Sequence, residues 1–487
     1  MKTAVTTPQS RCIAGIARAD ITPPVGIYHR MWGAATHERA EGVHRPLTAT
    51  ALWLEARDRD PAKRHLVLAL DHCILDSLAM NAVRTRAAAA VSLDVDQVRV
   101  CLSHTHGSGW MSPSRSHLPG GELIAPYLES VAGTCANLAI ESQSQSQPAT
   151  ILYGTARCDL AAHRDAFDEP RQHFVCGFNP EGPADDTILL ARVIADDGRT
   201  LGTIVNYACH PTTLAWENRL ISPDFVGAMR EVIEAETHVP CVFLQGASGD
   251  LGPREGFVGD PAIADRNGRQ LGYAALSGLT ALPTPGTRFE YSGPVVSGAT
   301  LGTWEHRMLS RSELERQASW DMVRLVVELP YRADLPTMEE TRRQRSHWEK
   351  EEAAAQAAND ADRARDFRAQ VEQMTRQETR LLALPAGKSY PFTVTLLRLG
   401  EAVGIFTPGE LYQSFQTSLR SRFPHLALVI APLTDDWQPG YVPAKEAYGH
   451  GIYQDIIAAV ASGSLEYLIE EVGRAIEAFP PQAAPRE

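Results

Sequence analysis

No run of roughly 18 or more apolar residues occurs in the chain, so a membrane-spanning helix is not expected. The N-terminal stretch MKTAVTTPQSRCIAGIARADITPP lacks the apolar segment of a secretory signal. There is no glycine-rich dinucleotide fingerprint and no P-loop, so no nucleotide cofactor is implied. There is also no CxxC pair. The eight cysteines (Cys12, Cys73, Cys101, Cys135, Cys158, Cys176, Cys209 and Cys241) are scattered, and several sit in apolar runs such as VRVCLSH and VPCVFLQ. That pattern reads as buried reduced thiols rather than as a disulfide framework. Lysine and arginine form no basic tract, and the formal net charge is -13. Nucleic acid and anionic lipid surfaces are poor partners for such a chain. What is left is the expectation of a cytoplasmic protein acting on a small molecule.

The chain has 487 residues, 44% apolar and 22% charged. This is enough for one large catalytic domain with insertions, or for two domains. Short apolar, β-rich runs recur, each ending in polar or glycine-rich residues. HLVLAL ends in Asp71 and His72. VRVCLS ends in His104-Thr105-His106, TIVNYA in Cys209-His210-Pro211, and VPCVFLQ in Gly246 to Asp250. AVGIFT ends in Pro408-Gly409-Glu410, and LALVIAP in Thr434-Asp435-Asp436. Continuous apolar runs of this length suit buried strands. The Asp-Asp-Gly at 196–198 predicts a hairpin turn. Ser222-Pro223-Asp224 predicts a helix start with Ser222 as cap, and Leu411 to Phe423 predicts a helix with Glu410 at its beginning. The fold class expected is α/β, with mixed β-sheets flanked by helices in a single catalytic domain over 10–480.

One stretch stands apart. Met338 to Leu384 is rich in Glu, Arg, Gln and Ala, with a break near Asn359-Asp360. It predicts a helical hairpin, inserted within 335–385 and projecting as a solvated arm, with a homo-oligomer contact as the second reading. The tail Pro480 to Glu487 is expected to fray.

In open α/β sheets, ligands bind outside the carboxyl ends of strands. His104, His106, His210, Asp250, Glu410 and Tyr441 all follow apolar runs and are thus placed to meet at one edge. Zinc favours histidine nitrogen and carboxylate oxygen, and a catalytic site keeps one position open. Singly, each residue has a plain explanation: His210 as a packed ring, Glu410 as a negative charge at a helix start. Together they point to a metal-dependent enzyme.

The blocks AGIARADITPPVG (14–26), GVHRPLTATAL (42–52), LSHTHGSG (102–109), NYACHPTTL (206–214), QGASGDLGP (245–253), FTPGEL (406–411) and GYVPAKEAYGHGIY (440–453) resemble the neutral/alkaline non-lysosomal ceramidase family in order and spacing. The resemblance implies an α/β catalytic domain and Zn2+ held by His104, His210, Glu410 and Tyr441. It also implies that His106 and Tyr453 stabilise an oxyanion or move a proton, and that Arg164 faces the substrate. Asp250 belongs to the turn at the site and is the remaining acid–base candidate. The family carries a serine where this chain has Gly252, so the substrate expected is a soluble amide rather than ceramide. No C-terminal immunoglobulin-like domain is expected either. The function implied is zinc-dependent amide hydrolysis by activated water. A metal-dependent lyase or isomerase acting on a polyhydroxylated substrate is the alternative, and a non-catalytic scaffold the third reading. His29, His72, His163 and His450 read as structural. Trp110, Trp216 and Trp437 flank the site blocks and are placed to line a pocket.

Overall fold

In the computed structural model, which describes residues 3–479, the apolar runs are strands of two sheets. The tail from Pro480 lies outside the described residues. The larger sheet contains β1 (Gln9–Asp20), β2 (Thr48–Glu55), β3 (Arg64–Leu70), β4 (Val98–Leu102), β5 (Gln147–Arg157), β6 (Thr187–Ala195), β7 (Thr200–Tyr207) and β8 (Cys241–Gln245). Their order across the sheet is β8-β7-β6-β5-β1-β2-β3-β4. Only the outer pairs, β7 with β8 and β3 with β4, run parallel. The smaller sheet has the order β9 (Trp320–Pro330), β10 (Ser389–Leu399), β11 (Ala402–Phe406) and β12 (Ala427–Ala431).

Side-chain alternation sets the layers. Along β3, Leu66, Leu68 and Leu70 point into one core, and Val67 and Ala69 into another. The first core lies beneath α1 (Ser77–Ala90) and α2 (Ile124–Ser144). The second lies between the sheets, where Ala14, Ile151 and Leu244 meet Leu399, Phe406 and Ala431. Helices α3 (Phe225–Thr237) and α4 (Pro261–Thr280) cover the other half of the large sheet. The result is helices, sheet, sheet, helices. Both faces of each inner strand are covered, which is why the runs are apolar throughout. The segment Gly121–Ser144 is long and apolar enough to cross a membrane by length and composition. Here its Ile124, Tyr127, Val131, Cys135 and Leu138 are part of the first core.

Twist brings distant strand ends together. In a flat sheet β4 would run opposite to β7 and β8. Adjacent strands rotate by about 20–25° each, so seven interfaces accumulate roughly 140–175°. The edge strand β8 accordingly comes back to touch β3 and β4, and the residues that follow β4 and β7 meet, with His106 N–H donating to the Pro211 carbonyl.

Two local expectations shift. The α3 cap is Asp224, not Ser222: its carboxylate accepts from the N–H of both Phe225 and Leu214, so a tertiary demand moves the helix start. Glu410 is not at a helix start. Its N–H donates to the Gly440 carbonyl, and Glu410–Leu411 pairs in parallel with Tyr441–Val442. This delays the helix α7 to Ser414–Arg422. The 338–384 hairpin is α5 (Met338–Ala357) and α6 (Ala361–Ala383), capped by Thr337 and Asp360. It is the connection between β9 and β10, which pair directly from Pro330 opposite Ser389.

Candidate metal centre

His104 lies two residues past the end of β4 in a left-handed conformation, φ 66°, which is unfavourable for a residue with a Cβ. Two backbone bonds hold it there, from Ser103 N to Leu70 O and from His104 N to His72 O. Such outliers are kept at functional positions when the surroundings over-determine them. His210 follows β7. Glu410 and Tyr441 are register partners in the two-residue parallel pair. Gly249 permits the close approach of that pair, because a Cβ there would lie 2.9 Å from the carbonyls of Glu410 and Leu411.

Four donor atoms converge. His104 Nε2 lies 3.0 Å from His210 Nε2 and 3.2 Å from Glu410 Oε2. His210 Nε2 lies 3.4 Å from both Glu410 Oε2 and the Tyr441 hydroxyl. Zinc–nitrogen bonds of about 2.0–2.1 Å in a tetrahedron put neighbouring donors about 3.3 Å apart. The observed separations fit that spacing. Both histidines spend Nδ1 on a carbonyl, His104 donating to Cys73 O at 2.8 Å and His210 to Ser248 O at 3.1 Å. Each ring therefore presents Nε2 inward, as the second bond of a metal-binding histidine ordinarily arranges. Glu410 Oε2 has no hydrogen-bond partner.

Burial pushes the His210 ring well below its ordinary value, and Arg164 and His104 push the same way. Burial would raise Glu410, yet His104, Tyr441 and Arg164 hold its carboxyl low. Burial also opposes a charged His104, but Cys73 and Glu410 draw it well above its ordinary value. A divalent cation held by the two Nε2 atoms and Glu410 would need both rings neutral, which burial already favours at His210. Cys73, His104 and His106 form a second cluster of metal-binding types. It is the weaker one, because His104 Nδ1 is already committed to the Cys73 carbonyl and burial raises the Cys73 thiol.

The donors lie at the base of a cavity of about 460 Å³. His106 lines it with neither ring nitrogen bonded, its ring 5.0 Å from that of Trp32. Burial first, then the charges on His104, Arg164 and Arg376, push His106 well below its ordinary value, so it stands neutral. Tyr453, at the start of a short helix, places its ring 6.0 Å from Tyr441. Arg164 also lines the cavity, but its bonds go to the Gly249 carbonyl at 2.6 Å and the Tyr441 hydroxyl at 2.8 Å. It therefore fixes Tyr441. Asp250 is not gathered into the cluster: its carboxylate accepts from Gln413 N at 2.7 Å and Gln413 Nε2 at 2.8 Å, and it faces a separate cavity. Gly252 sits against Thr212 and Arg164, with 3.7 Å from an added Cβ to the nearest atom. Trp110, Trp216 and Trp437 line the cavity as expected. His29 and His72 are tied to Gly107 O and the Tyr127 hydroxyl. His44 is turned away, bonded to Ser222 and Asp265.

The hairpin holds the residues that the sequence did not assign. It does not project as an arm: α6 lies across the cavity and contributes Glu372, Arg376 and Arg380 to its lining. Ala369 packs against Gly33. Glu372 accepts from both terminal nitrogens of Arg115, at 3.0 and 2.7 Å, and from Arg376 Nε at 2.9 Å. Arg376 stands over the Trp110 ring at 4.5 Å and donates to Met31 O at 2.5 Å. The only signals in the sequence were buried-type spacing on one face of α6 and the arginines themselves. Glu372→Gln leaves two guanidinia short of their carboxylate, and should destabilise the fold by about 3–5 kcal/mol. Denaturant unfolding checks this, and unchanged stability would mean that the roof is held by packing alone.

Comparison with known proteins follows from this arrangement. Residues 13–255 match the family model described as neutral/alkaline non-lysosomal ceramidase, N-terminal. Among solved structures, the neutral ceramidase from Pseudomonas aeruginosa superposes with a TM-score of 0.65 at 14% identity, covering 98% of this chain and 76% of that one. A ceramidase complexed with C2 superposes with a TM-score of 0.64 at 14% identity, covering 98% of this chain and 77% of that one. At this identity the likeness speaks for the fold, and the two-sheet architecture is shared along nearly the whole chain.

Proposed function

Because the chain belongs to the neutral/alkaline non-lysosomal ceramidase family, we propose that it is a zinc-dependent hydrolase cleaving an amide bond of a small soluble molecule. The observation that carries this reading is the set of four inward donors, His104, His210, Glu410 and Tyr441, at the spacing of a tetrahedral site. A zinc ion held by them polarises a carbonyl oxygen and makes water nucleophilic near neutral pH.

The chain's own residues do the rest. Neutral His106, with two free ring nitrogens over the cavity, is placed to take a proton from water and to pass one to the departing amine. The Tyr453 hydroxyl is the donor to the oxygen that gains charge as the carbonyl carbon becomes tetrahedral. Arg164 orients Tyr441, and Trp32, Trp216 and Phe257 exclude water from the acyl side. Asp250, bound to Gln413, supports the turn that carries Gly249 rather than moving protons. A cytoplasmic location suits the eight free thiols.

The reading is tested in water enriched in oxygen-18, with zinc-loaded protein and simple N-acyl amides. One solvent oxygen is expected in the acid product and none in the amine. Turnover that leaves solvent oxygen out of both products would mean elimination or transfer, and would sink the hydrolase.

A further inference from the structure

We propose that the amide cleaved here carries a carboxylate, and that Arg380 on the roof helix α6 binds it. This rests on the hydrolase reading above and narrows it to a substrate class.

Arg380 is 6% exposed, lines the cavity, and makes no ion pair among the described residues. Its one recorded side-chain bond is to Gln377, and its Nε has no partner. Other buried arginines have more partners, although Arg164, which also lacks a carboxylate, has an unbonded Nε too. Arg115 has Glu372 and Arg230 has Asp71, while Arg164 has the Tyr441 hydroxyl and the Gly249 carbonyl. A buried guanidinium without a counter-charge is costly and is ordinarily paired. Burial lowers Arg380 to about 10, so it is still cationic at neutral pH. The surplus charge therefore persists and faces the cavity.

Its place suits a substrate group. Tyr453, Glu410 and Tyr441 are among the charged or ionisable groups that Arg380 feels most strongly. Arg380, Tyr453 and all four donors line the same cavity of about 460 Å³, so an anion on Arg380 is within one small molecule's reach of the donors. Trp32, Trp216 and Phe257 supply an aromatic wall for an apolar acyl part, with Trp32 edge-on to Phe257 at 5.6 Å. Glu372 is already neutralised by Arg115 and Arg376, so the lining is cationic although the chain's formal net charge is -13. Such a local reversal of sign draws anions inward. One guanidinium without a carboxylate partner near the C-terminal end of α6, where helix carbonyls add negative potential, suits a monoanionic carboxylate better than a phosphate.

The probes are hippurate (N-benzoylglycine) and its uncharged primary amide, titrated calorimetrically into zinc-loaded protein. Hippurate should bind about a hundredfold more tightly than the neutral amide. Arg380→Met should erase the difference while keeping its zinc, and Arg380→Lys should keep most of it. Melting of both variants controls for folding. Equal binding of the two probes, binding of neither, or a preference that survives in Arg380→Met overturns the proposal. Displacement of hippurate by millimolar inorganic phosphate overturns the choice of carboxylate. Turnover is scored separately. A binding preference without hydrolysis would refute the hydrolase and leave the anion site standing, and hydrolysis without preference would do the reverse.

Discussion

His210→Ala is expected to lose both zinc and hydrolysis. The ring supplies one of the four inward donors and lies 3.0 Å from His104 Nε2 and 3.4 Å from Glu410 Oε2. Removing it leaves a buried carboxylate facing one histidine. Changes in the outer partners of metal ligands already cost about 10–100-fold in affinity. Loss of a donor atom itself should cost more, and activity should fall to background. The fold should survive, because outside the donor cluster the ring bonds only the Ser248 carbonyl, and His210 lies past the end of a strand. Metal content per chain, measured by mass spectrometry beside a circular dichroism spectrum, reads the result. Undiminished hydrolysis by a zinc-free His210→Ala protein would refute the metal site.

The second large effect separates binding the ion from using it. His106→Ala should keep its zinc but slow turnover by about 10²–10⁴-fold, with the loss in kcat rather than KM. His106 is two residues from His104, yet its nitrogens bond to nothing and its ring leans on Trp32. A residue that only filled space would give a modest stability change and ordinary turnover. If zinc were lost as well, His106 would have to be counted among the ligands.

The sequence made the strands legible because both sheets are covered on two faces, so Val67 and Leu68 are alike apolar although they enter different cores. The donor residues were legible for a related reason: His104, His210 and Glu410 come within a few residues of a strand end, although Tyr441 does not. What brings His104 beside His210 was not. That depends on twist accumulated over a sheet whose outer strands run in opposite senses, and no local pattern encodes it. The placement of Glu410 was misread because a carboxylate before an amphipathic run looks like a helix start. Its backbone pairing with Tyr441 lies thirty-one positions away. Arg380 and Glu372 were missed because a charged helical stretch carries the same composition whether it faces solvent or a cavity. Asp250 was placed beside the site by its neighbours in the chain, but its side chain turns to Gln413.

The hairpin is the turn between two paired strands. β9 and β10 stay in register whatever joins them, from Pro330 opposite Ser389 onward. Doubling the length of a closed loop costs only about 0.6 kcal/mol. The register of β9 and β10 therefore sets little limit on the length of what joins them, although Glu372 on that segment still anchors Arg115 and Arg376. The four donors enjoy no such freedom, since they are drawn from positions 104 to 441 and depend on both sheets. Arg380 thus rides on a segment that the strand pairing does not constrain, while the four donors are tied to the whole architecture.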